Sequence, residues 1–421
     1  MSIKKQSIGI LIVAVSLATA WAIRGKFGHE QGAAWAGAIG GLALVLVAQR
    51  KDWYNKMILI ALASAIGWGA GGMISYGQVV GYGRSSDFLN AYYGLGMLFV
   101  IGALYGLLGG GLVGLVLDST KGQRVKWGAL VSEMVAGGLI SYFFLIEQIG
   151  VQMTPPRSEA WAIILGASLA MLWHMARENR NSPIRVAIFS ALGGGFGFAF
   201  GNFLQVLGHA WEIPFNMWNV MEYCIGFFGG SGMAYGVLTS TWPVDDEKPK
   251  KWANRAALFI LAVFIPFVLF RESMAYDHIL NHLGEIPNLE AIANSSSWFS
   301  AIALILMAII LCWRLQKGDY SKKDVAFFFF SYLGVYLLMS FIIKGILGGH
   351  MILENHLYIL NIIVIYLLLK KWKIGTLDAT SNEIHAKKWI VYFFMIVLII
   401  GLLSWIAINV HGEIPNARNR F

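Results

Sequence analysis

The sequence predicts an all-α polytopic membrane protein of about 13 transmembrane helices: a tandem parallel duplication of a four-helix unit, followed by a five-helix bundle. Three observations predict this class. Hydrophobic residues make up 57% of the chain and charged residues only 13%, whereas soluble domains carry about 25% charged residues. Apolar runs of about 20 residues, long enough to cross ~30 Å of hydrocarbon, recur from end to end. Most of the 32 basic residues fall in alternate connections between these runs.

The apolar runs divide the chain into spans of helical length, joined by short polar connections. The first run follows Lys4 and Lys5 and lacks a small-residue cleavage site ahead of a polar mature domain, so we expect a retained helix and not a signal peptide. The predicted spans are 6–23, 31–49, 57–81, 90–117, 127–147, 159–176, 184–207, 217–241, 253–270, 298–314, 324–346, 353–369 and 388–409.

The basic connections predict the orientation in the lipid bilayer. Because basic residues favour the cytoplasmic side, the N-terminus is expected in the cytoplasm and the C-terminus outside, in a bacterial inner membrane. We therefore attribute the net charge of +9 to orientation in the membrane and to contacts with anionic lipid head groups. Nucleic acid is not an expected partner. Cys224 and Cys312 both lie in apolar runs, which favours packing roles over a disulfide or a thiolate metal site.

An internal repeat is visible at an offset of about 126 residues. The sequence Ala-Trp-Ala at 34–36 recurs at 160–162, and the glycine-rich segment 61–72 aligns with 187–198. Gln-Val-Val-Gly at 78–81 aligns with Gln-Val-Leu-Gly at 205–208. We therefore predict two parallel repeats at 1–126 and 127–247. Residues 252–421 form the separate five-helix bundle.

The 48 glycines are concentrated in the predicted repeats and have two interpretations. Small residues let helix backbones approach closely in lipid, which favours a packing role. Alternatively, some glycines break helices within the membrane and expose backbone groups to a solute, as in discontinuous transporter helices. The duplicated, glycine-rich architecture is similar to that of secondary transporters, an analogy that names no family.

The segment 21–42 is the first candidate site, because charged residues interrupt an apolar run there. One interpretation is an interfacial helix cap in which Lys26 and Glu30 pair at i and i+4. The other makes Arg24 a clamp for an anion, with His29 and Glu30 handling protons. The second repeat lacks these charges, which favours a functional role.

Further polar residues cluster at the same predicted outer face. Gln78 and Gln205 occupy equivalent positions in the two predicted repeats. Their amides either bind a polar solute or form hydrogen bonds with helix ends. Glu222 needs a partner if it is buried, and Arg84, Arg157 and Arg271 are the candidates. The full predicted substrate-binding set is Arg24, His29, Glu30, Gln78, Arg84, Asn202, Gln205, His209 and Glu222.

His278 and His282 have the i, i+4 spacing of two metal ligands on one helix face. No H-E-x-x-H signature accompanies them, so an interfacial hydrogen-bonded loop is the favoured interpretation and no cofactor is predicted. The sequence Gly-Glu-Ile-Pro-Asn occurs at both 284–288 and 412–416, which predicts a recurring loop shape.

These observations favour a secondary transporter or permease for a small polar, in particular anionic, solute, with proton coupling. The alternative is a membrane-embedded transferase acting on a lipid-linked or cell-envelope substrate at the outer face. In that case His29 or His278 is the general acid or base, and Glu30 or Glu272 orients it. A third possibility is a subunit of a larger complex. P-loop and nucleophile-elbow motifs are absent from the sequence, and no G-x-G-x-x-G lies between a strand and a helix, since the run Gly-Trp-Gly-Ala-Gly-Gly at 67–72 falls inside a predicted span. The oligomeric state stays open.

Overall fold

The computed structural model describes residues 3–155, 157–245, 247–284, 287–372 and 382–421, and within these ranges the fold contains helices and no strands. We number the helices in chain order. The first ten are α1 Ile3–Arg24, α2 His29–Ala48, α3 Lys51–Asn55, α4 Met57–Gly72, α5 Gly77–Gly83, α6 Phe88–Asp118, α7 Trp127–Gln148, α8 Glu159–Arg177, α9 Asn181–Ala210 and α10 Met217–Leu238. The others are α11 Lys251–Met274, α12 Tyr276–Leu283, α13 Leu289–Leu315, α14 Lys322–Ile343, α15 Leu353–Lys371 and α16 Ala386–Val410.

The helix lengths and composition are those of an integral membrane protein. Among the described residues, 11 helices are long and apolar enough to cross a membrane, and the bent pair α4–α5 makes 12. The predicted span 217–241 corresponds to α10, which is 22 residues long but is not apolar enough to be among them. The total of 13 spans therefore stays a prediction, as do the orientation of the termini and the type of membrane.

Helices α6 and α9 pack backbone to backbone along a line of small residues, which we call the α6–α9 seam. A Cβ atom added to Gly106 would lie 2.0 Å from the carbonyl oxygen of Ser190, and one on Gly102 would lie 2.2 Å from that of Gly194. Only glycine permits such an approach, because any side chain would overlap the partner backbone. Close packing thus accounts for these glycines, and the seam joins the two predicted repeats.

One glycine-rich segment also precedes a break in a helix. Gly71 and Gly72 end α4, and after residues 73–76 the chain continues as α5 at an angle of 68°. The equivalent part of the second predicted repeat lies within α9, which runs unbroken over 30 residues. The two sequences therefore fold differently at this point, and the division into two repeats and a bundle stays a prediction.

The helices after residue 250 pack on different sides of this core. Trp35 of α2 lies between the rings of Tyr332 and Tyr336 of α14, with centroids 4.6 and 4.9 Å away. The Trp35 indole N–H donates to the Tyr332 carbonyl oxygen at 3.1 Å. Helix α16 packs against α6 and α9, and residues 411–421 then cross back over α5 and the start of α6. We call residues 411–421 the C-terminal strap.

Candidate anion-binding cavity

A cavity of about 950 Å³ opens at one end of the helix bundle, which we call the cavity end. The α1–α2 turn, the α4–α5 break, the α7–α8 loop and the start of α10 line it, together with α12, the end of α14 and the C-terminal strap. Its described lining has six Lys or Arg side chains and two carboxylates. The cations are Arg24, Lys26, Arg84, Arg157, Lys344 and Arg418, and the carboxylates are Glu30 and Glu222.

A buried network around Arg24 and Glu222 forms part of the wall. The Arg24 Nη1 donates to Glu222 Oε2 and to the Tyr76 hydroxyl, both at 2.9 Å. The Tyr76 hydroxyl donates to Glu222 Oε1 at 2.6 Å. Arg24 is 1% exposed and Glu222 is 4% exposed, so each charge depends on the other for compensation. The predicted partners of Glu222, namely Arg84, Arg157 and Arg271, were wrong: its partner is Arg24.

His29 completes this network from the first turn of α2. The Arg24 Nη2 lies 2.7 Å from His29 Nδ1. Because a guanidinium can only donate, Nδ1 accepts and the imidazole is neutral with its proton on Nε2. Arg24 therefore orients His29. The Arg24 guanidinium itself is hydrogen-bonded to Tyr76, Glu222 and His29. The predicted role of Arg24 as the anion clamp stays untested, but three internal acceptors already hold this guanidinium.

An aromatic layer packs against this network. Trp21 contacts both Trp68 and Tyr105, with ring centroids 5.1 and 5.7 Å apart, and Phe198 contacts both Tyr76 and Tyr105. Trp21, Trp68, Tyr105 and Phe198 are fully buried. The polar cavity is therefore closed on this side by tightly packed rings.

The predicted pair of Lys26 and Glu30 is not formed, because the chain is not helical between them. Helix α1 ends at Arg24 and α2 begins at His29, so the i, i+4 geometry does not exist. Instead, the Lys26 ammonium donates to Asn355 Oδ1 at 2.6 Å and lies 5.2 Å from the centre of the Tyr358 ring.

Arg84 follows α5 and has a different environment from Arg24. It is 2% exposed, and its Nη1 donates to the Pro415 carbonyl oxygen of the C-terminal strap at 3.2 Å. Its Nε and Nη2 are buried without a hydrogen-bond partner among the described residues. The guanidinium lies over the ring of Trp218 at 5.1 Å. Burial lowers its pKa, as expected for a cation with no carboxylate beside it.

The C-terminal strap is fixed to α5 and α6 by several hydrogen bonds. The Arg418 N–H donates to the Gly81 carbonyl oxygen at 3.0 Å, and its guanidinium bonds Gln78. Ser85 Oγ donates to Asn419 Oδ1 at 2.6 Å. Asn416 has φ of 62°, matching the 57° of Asn288 in the other copy of the recurring motif, while Glu285 lies outside the described residues.

The structure brings together six of the nine predicted substrate-binding residues. Arg24, His29, Glu30, Gln78, Arg84 and Glu222 line the cavity. Asn202 and Gln205 do not: both are fully buried in α9, where the Asn202 amide donates to Gln205 Oε1 at 3.1 Å. His209, in the last turn of α9, is also absent from the lining. The two equivalent glutamines therefore do not face one solute, because the helix breaks only in the first copy.

The residues predicted for catalysis or metal binding after position 270 are mostly exposed. His278 is exposed, and Glu272 lies 3.9 Å from Arg271 in an exposed pair. His282 lines the cavity, and its Nε2 lies 3.1 Å from Lys344 Nζ. Within the part of the chain that the structure describes, no group of three or more His, Cys, Asp or Glu could hold a metal ion.

Three contributors were missed from the sequence: Tyr76, Trp218 and Arg418. Tyr76 lies shortly after the double glycine 71–72. A double glycine indicates a break in the helix, but it does not indicate a role for a nearby aromatic residue. Arg418 lies in a polar tail after the last span, and nothing in its spacing indicates a return to α5.

The fold and the cavity define a class: a multi-pass helical membrane protein with a cationic cavity at one end of its bundle. Comparison with protein families, with curated proteins and with solved structures finds no match.

Proposed function

We propose that the cavity binds a small anionic solute and that the chain is a secondary transporter for it. The observation that carries the proposal is the environment of Arg84, a buried cation with two unpartnered N–H groups in the wall of a 950 Å³ cavity. An unpaired buried charge is unfavourable, and a carboxylate or phosphate bound through the guanidinium fork would remove that penalty. Arg157 and Arg418 line the same cavity and would add to the attraction.

The α4–α5 break supports transport over simple binding. Its unwound residues 73–76 line the cavity, and Tyr76 within it contacts the Arg24–Glu222 pair. Transporters commonly place their solute at such interrupted helices, because irregular backbone in a membrane is tolerated only where it faces protein or a water-filled cavity. The buried aromatic layer would then be the closed side of the pathway in this conformation.

The test is flux into liposomes containing the purified chain, with acetate, succinate, phosphate, sulfate and glycerol phosphate as probes, with and without a proton gradient. Uptake of at least one anion by the native chain, lost in Arg84→Gln, is expected. Arg124→Gln is the matched control, because Arg124 lies at the opposite end in an exposed pair with Glu247. Absence of flux for every probe under both conditions would overturn the transport proposal.

A second candidate is an enzyme acting on a phosphorylated lipid-linked substrate. It is favoured by the position of His29, whose Nδ1 is held by Arg24 so that the ring is oriented at the cavity wall beside Glu30. With Nδ1 occupied, the Nε2–H is the group left to donate a hydrogen bond to a substrate oxygen. Loss of cell-envelope modification in His29→Gln, with protein abundance and anion flux unchanged, would favour the enzyme over the transporter.

A further inference from the structure

A second group of basic side chains lines the cavity, contributed by different elements from those that hold Arg84. Lys26 comes from the α1–α2 turn, His282 from α12 and Lys344 from the residue after α14. Arg84, in contrast, is held among α5, Trp218 of α10 and the C-terminal strap. The cavity thus has two basic walls built from separate parts of the fold.

The second wall has no salt bridge of its own. Within the described residues, neither Lys26 nor Lys344 has a carboxylate oxygen within 4.0 Å. Lys26 Nζ bonds the amide oxygen of Asn355, which also accepts from Ser340 Oγ at 2.9 Å. Lys344 Nζ lies 3.1 Å from His282 Nε2, so these two basic groups are in direct contact with each other.

The surroundings of these groups disfavour their charged forms. Burial lowers the pKa of Lys26 to about 7, with Lys344 lowering it further and Glu354 opposing the shift. Burial also lowers the pKa of His282, as do the nearby charges of Lys344 and Lys26. For Lys344 burial is again the cause of a lowered pKa, and Glu354 opposes it. A bound anion would favour protonation of all three.

We infer that Lys26, His282 and Lys344 form a second anion subsite, so that the cavity takes a solute with two acidic groups. One acidic group would bind the Arg84 wall and the other the Lys26 wall, each forming the direct ion pair that its wall does not have among the described residues. The inference rests on the proposed anion binding and names the class of anion. The other charged or titratable groups near this subsite are Glu354 on α15 and, in the cavity lining, Arg24, the neutral His29 and Glu30.

The experiment compares probes that differ in one acidic group. Isothermal titration on the full chain in lipid nanodiscs would measure each dicarboxylate from malonate to suberate against the monocarboxylate of equal carbon number. Propyl phosphate and 1,3-propanediol bisphosphate form a matched phosphate pair. The native chain should bind at least one doubly charged probe about tenfold more tightly than the singly charged probe of the same pair. A tenfold difference in affinity is about what one charge-assisted hydrogen bond contributes.

The double substitution Lys26→Gln with Lys344→Gln should abolish this preference and leave the affinity for the singly charged probe unchanged. Lys248→Gln is the control, because Lys248 pairs with Asp319 in an exposed position. His282→Gln, a single change in the cavity wall, supplies a second variant if the double substitution unfolds the chain, and should weaken the preference. Equal affinities within every pair for the native chain would overturn the inference, as would equal weakening of both probes by the substitutions. Absence of binding for all anions would instead overturn the proposed function.

Discussion

Arg180 at one end of the bundle and Arg84 at the other are both cations that the fold has buried, at 1% and 2% exposure. Arg180 pairs with Asp118 at 2.8 Å and donates further to two backbone carbonyl oxygens. Arg84 has one carbonyl oxygen and two unpartnered N–H groups. The same residue type thus has a carboxylate partner and one unpartnered nitrogen, Nε, in one place, and two unpartnered nitrogens and no carboxylate within 4.0 Å among the described residues in the other.

The contrast extends to neighbouring residues. At the end opposite the cavity, Lys56 pairs with Asp245 at 3.1 Å, and Arg50 pairs with Asp52 at 2.6 Å. Arg185 has no carboxylate partner among the described residues, but its guanidinium donates to Ser240, Thr239 and the Glu383 carbonyl oxygen. The chain's own groups therefore bind the cations at that end, whereas at the cavity end Lys26, Arg84 and Lys344 have no carboxylate oxygen within 4.0 Å among the described residues.

The largest expected effect is at Arg24, a buried cavity-end cation with a carboxylate partner. Glu222→Gln should lower the free energy of unfolding by about 3–5 kcal/mol, because it leaves the Arg24 charge buried without a partner. Unfolding in detergent, followed by circular dichroism, measures it. Glu212→Gln, at an exposed position, is the control and should stay within about 0.5 kcal/mol of the native chain. Equal stability of both variants would mean that the Arg24 charge is not desolvated.

At the opposite end, Asp118→Asn should be the next largest change. Removing its charge leaves Arg180 buried with only carbonyl acceptors, and we expect a loss of about 3 kcal/mol in the free energy of unfolding. Anion binding should be unchanged, since Asp118 does not line the cavity. If Asp118→Asn bound anions more weakly while unfolding with the same free energy as the native chain, the two ends of the bundle would not have separate roles.

Arg84→Gln should behave in the opposite way. Because Arg84 lacks a carboxylate partner, its loss should change the free energy of unfolding by less than about 1 kcal/mol while weakening the binding of any anion about tenfold or more. Titration of anions and detergent unfolding on the same preparation measure both quantities. Arg84→Lys keeps the charge without the fork, so it should recover part of the affinity. A large loss of stability in Arg84→Gln would show that this cation is structural.

The smallest effect concerns pH. Because burial lowers the pKa of Lys26 to about 7, this group is charged below neutral pH and neutral above it. The affinity for a dicarboxylate, whose own groups titrate at about 4–5, should fall a few-fold as the pH rises from 6 to 8. Lys26→Arg stays charged throughout and should flatten this dependence. An unchanged pH profile in that variant would exclude Lys26 as its source.

The sequence predicted most of the helices, because long apolar runs carry a strong signal. It also singled out Arg24, His29 and Glu30, which line the cavity, since charged residues in an apolar run are rare. The equivalence of the two predicted repeats did not extend to their glutamines: Gln78 reaches the cavity through the α4–α5 break, whereas Gln205 stays inside the continuous α9. Partners distant in sequence were also missed, because no local pattern connects Arg24 with Glu222 or Gly81 with Arg418.

The α6–α9 seam has a mechanical consequence. Backbones that approach until a single added methyl group would overlap cannot slide past or rotate against each other without losing contact along the whole line. Helices α6 and α9 therefore move together as one rigid block. Changes in the shape of the cavity would then come from lining elements outside the seam. Among these, the α1–α2 turn, the α4–α5 break and the C-terminal strap bring Lys26, Tyr76 and Arg418 to the cavity.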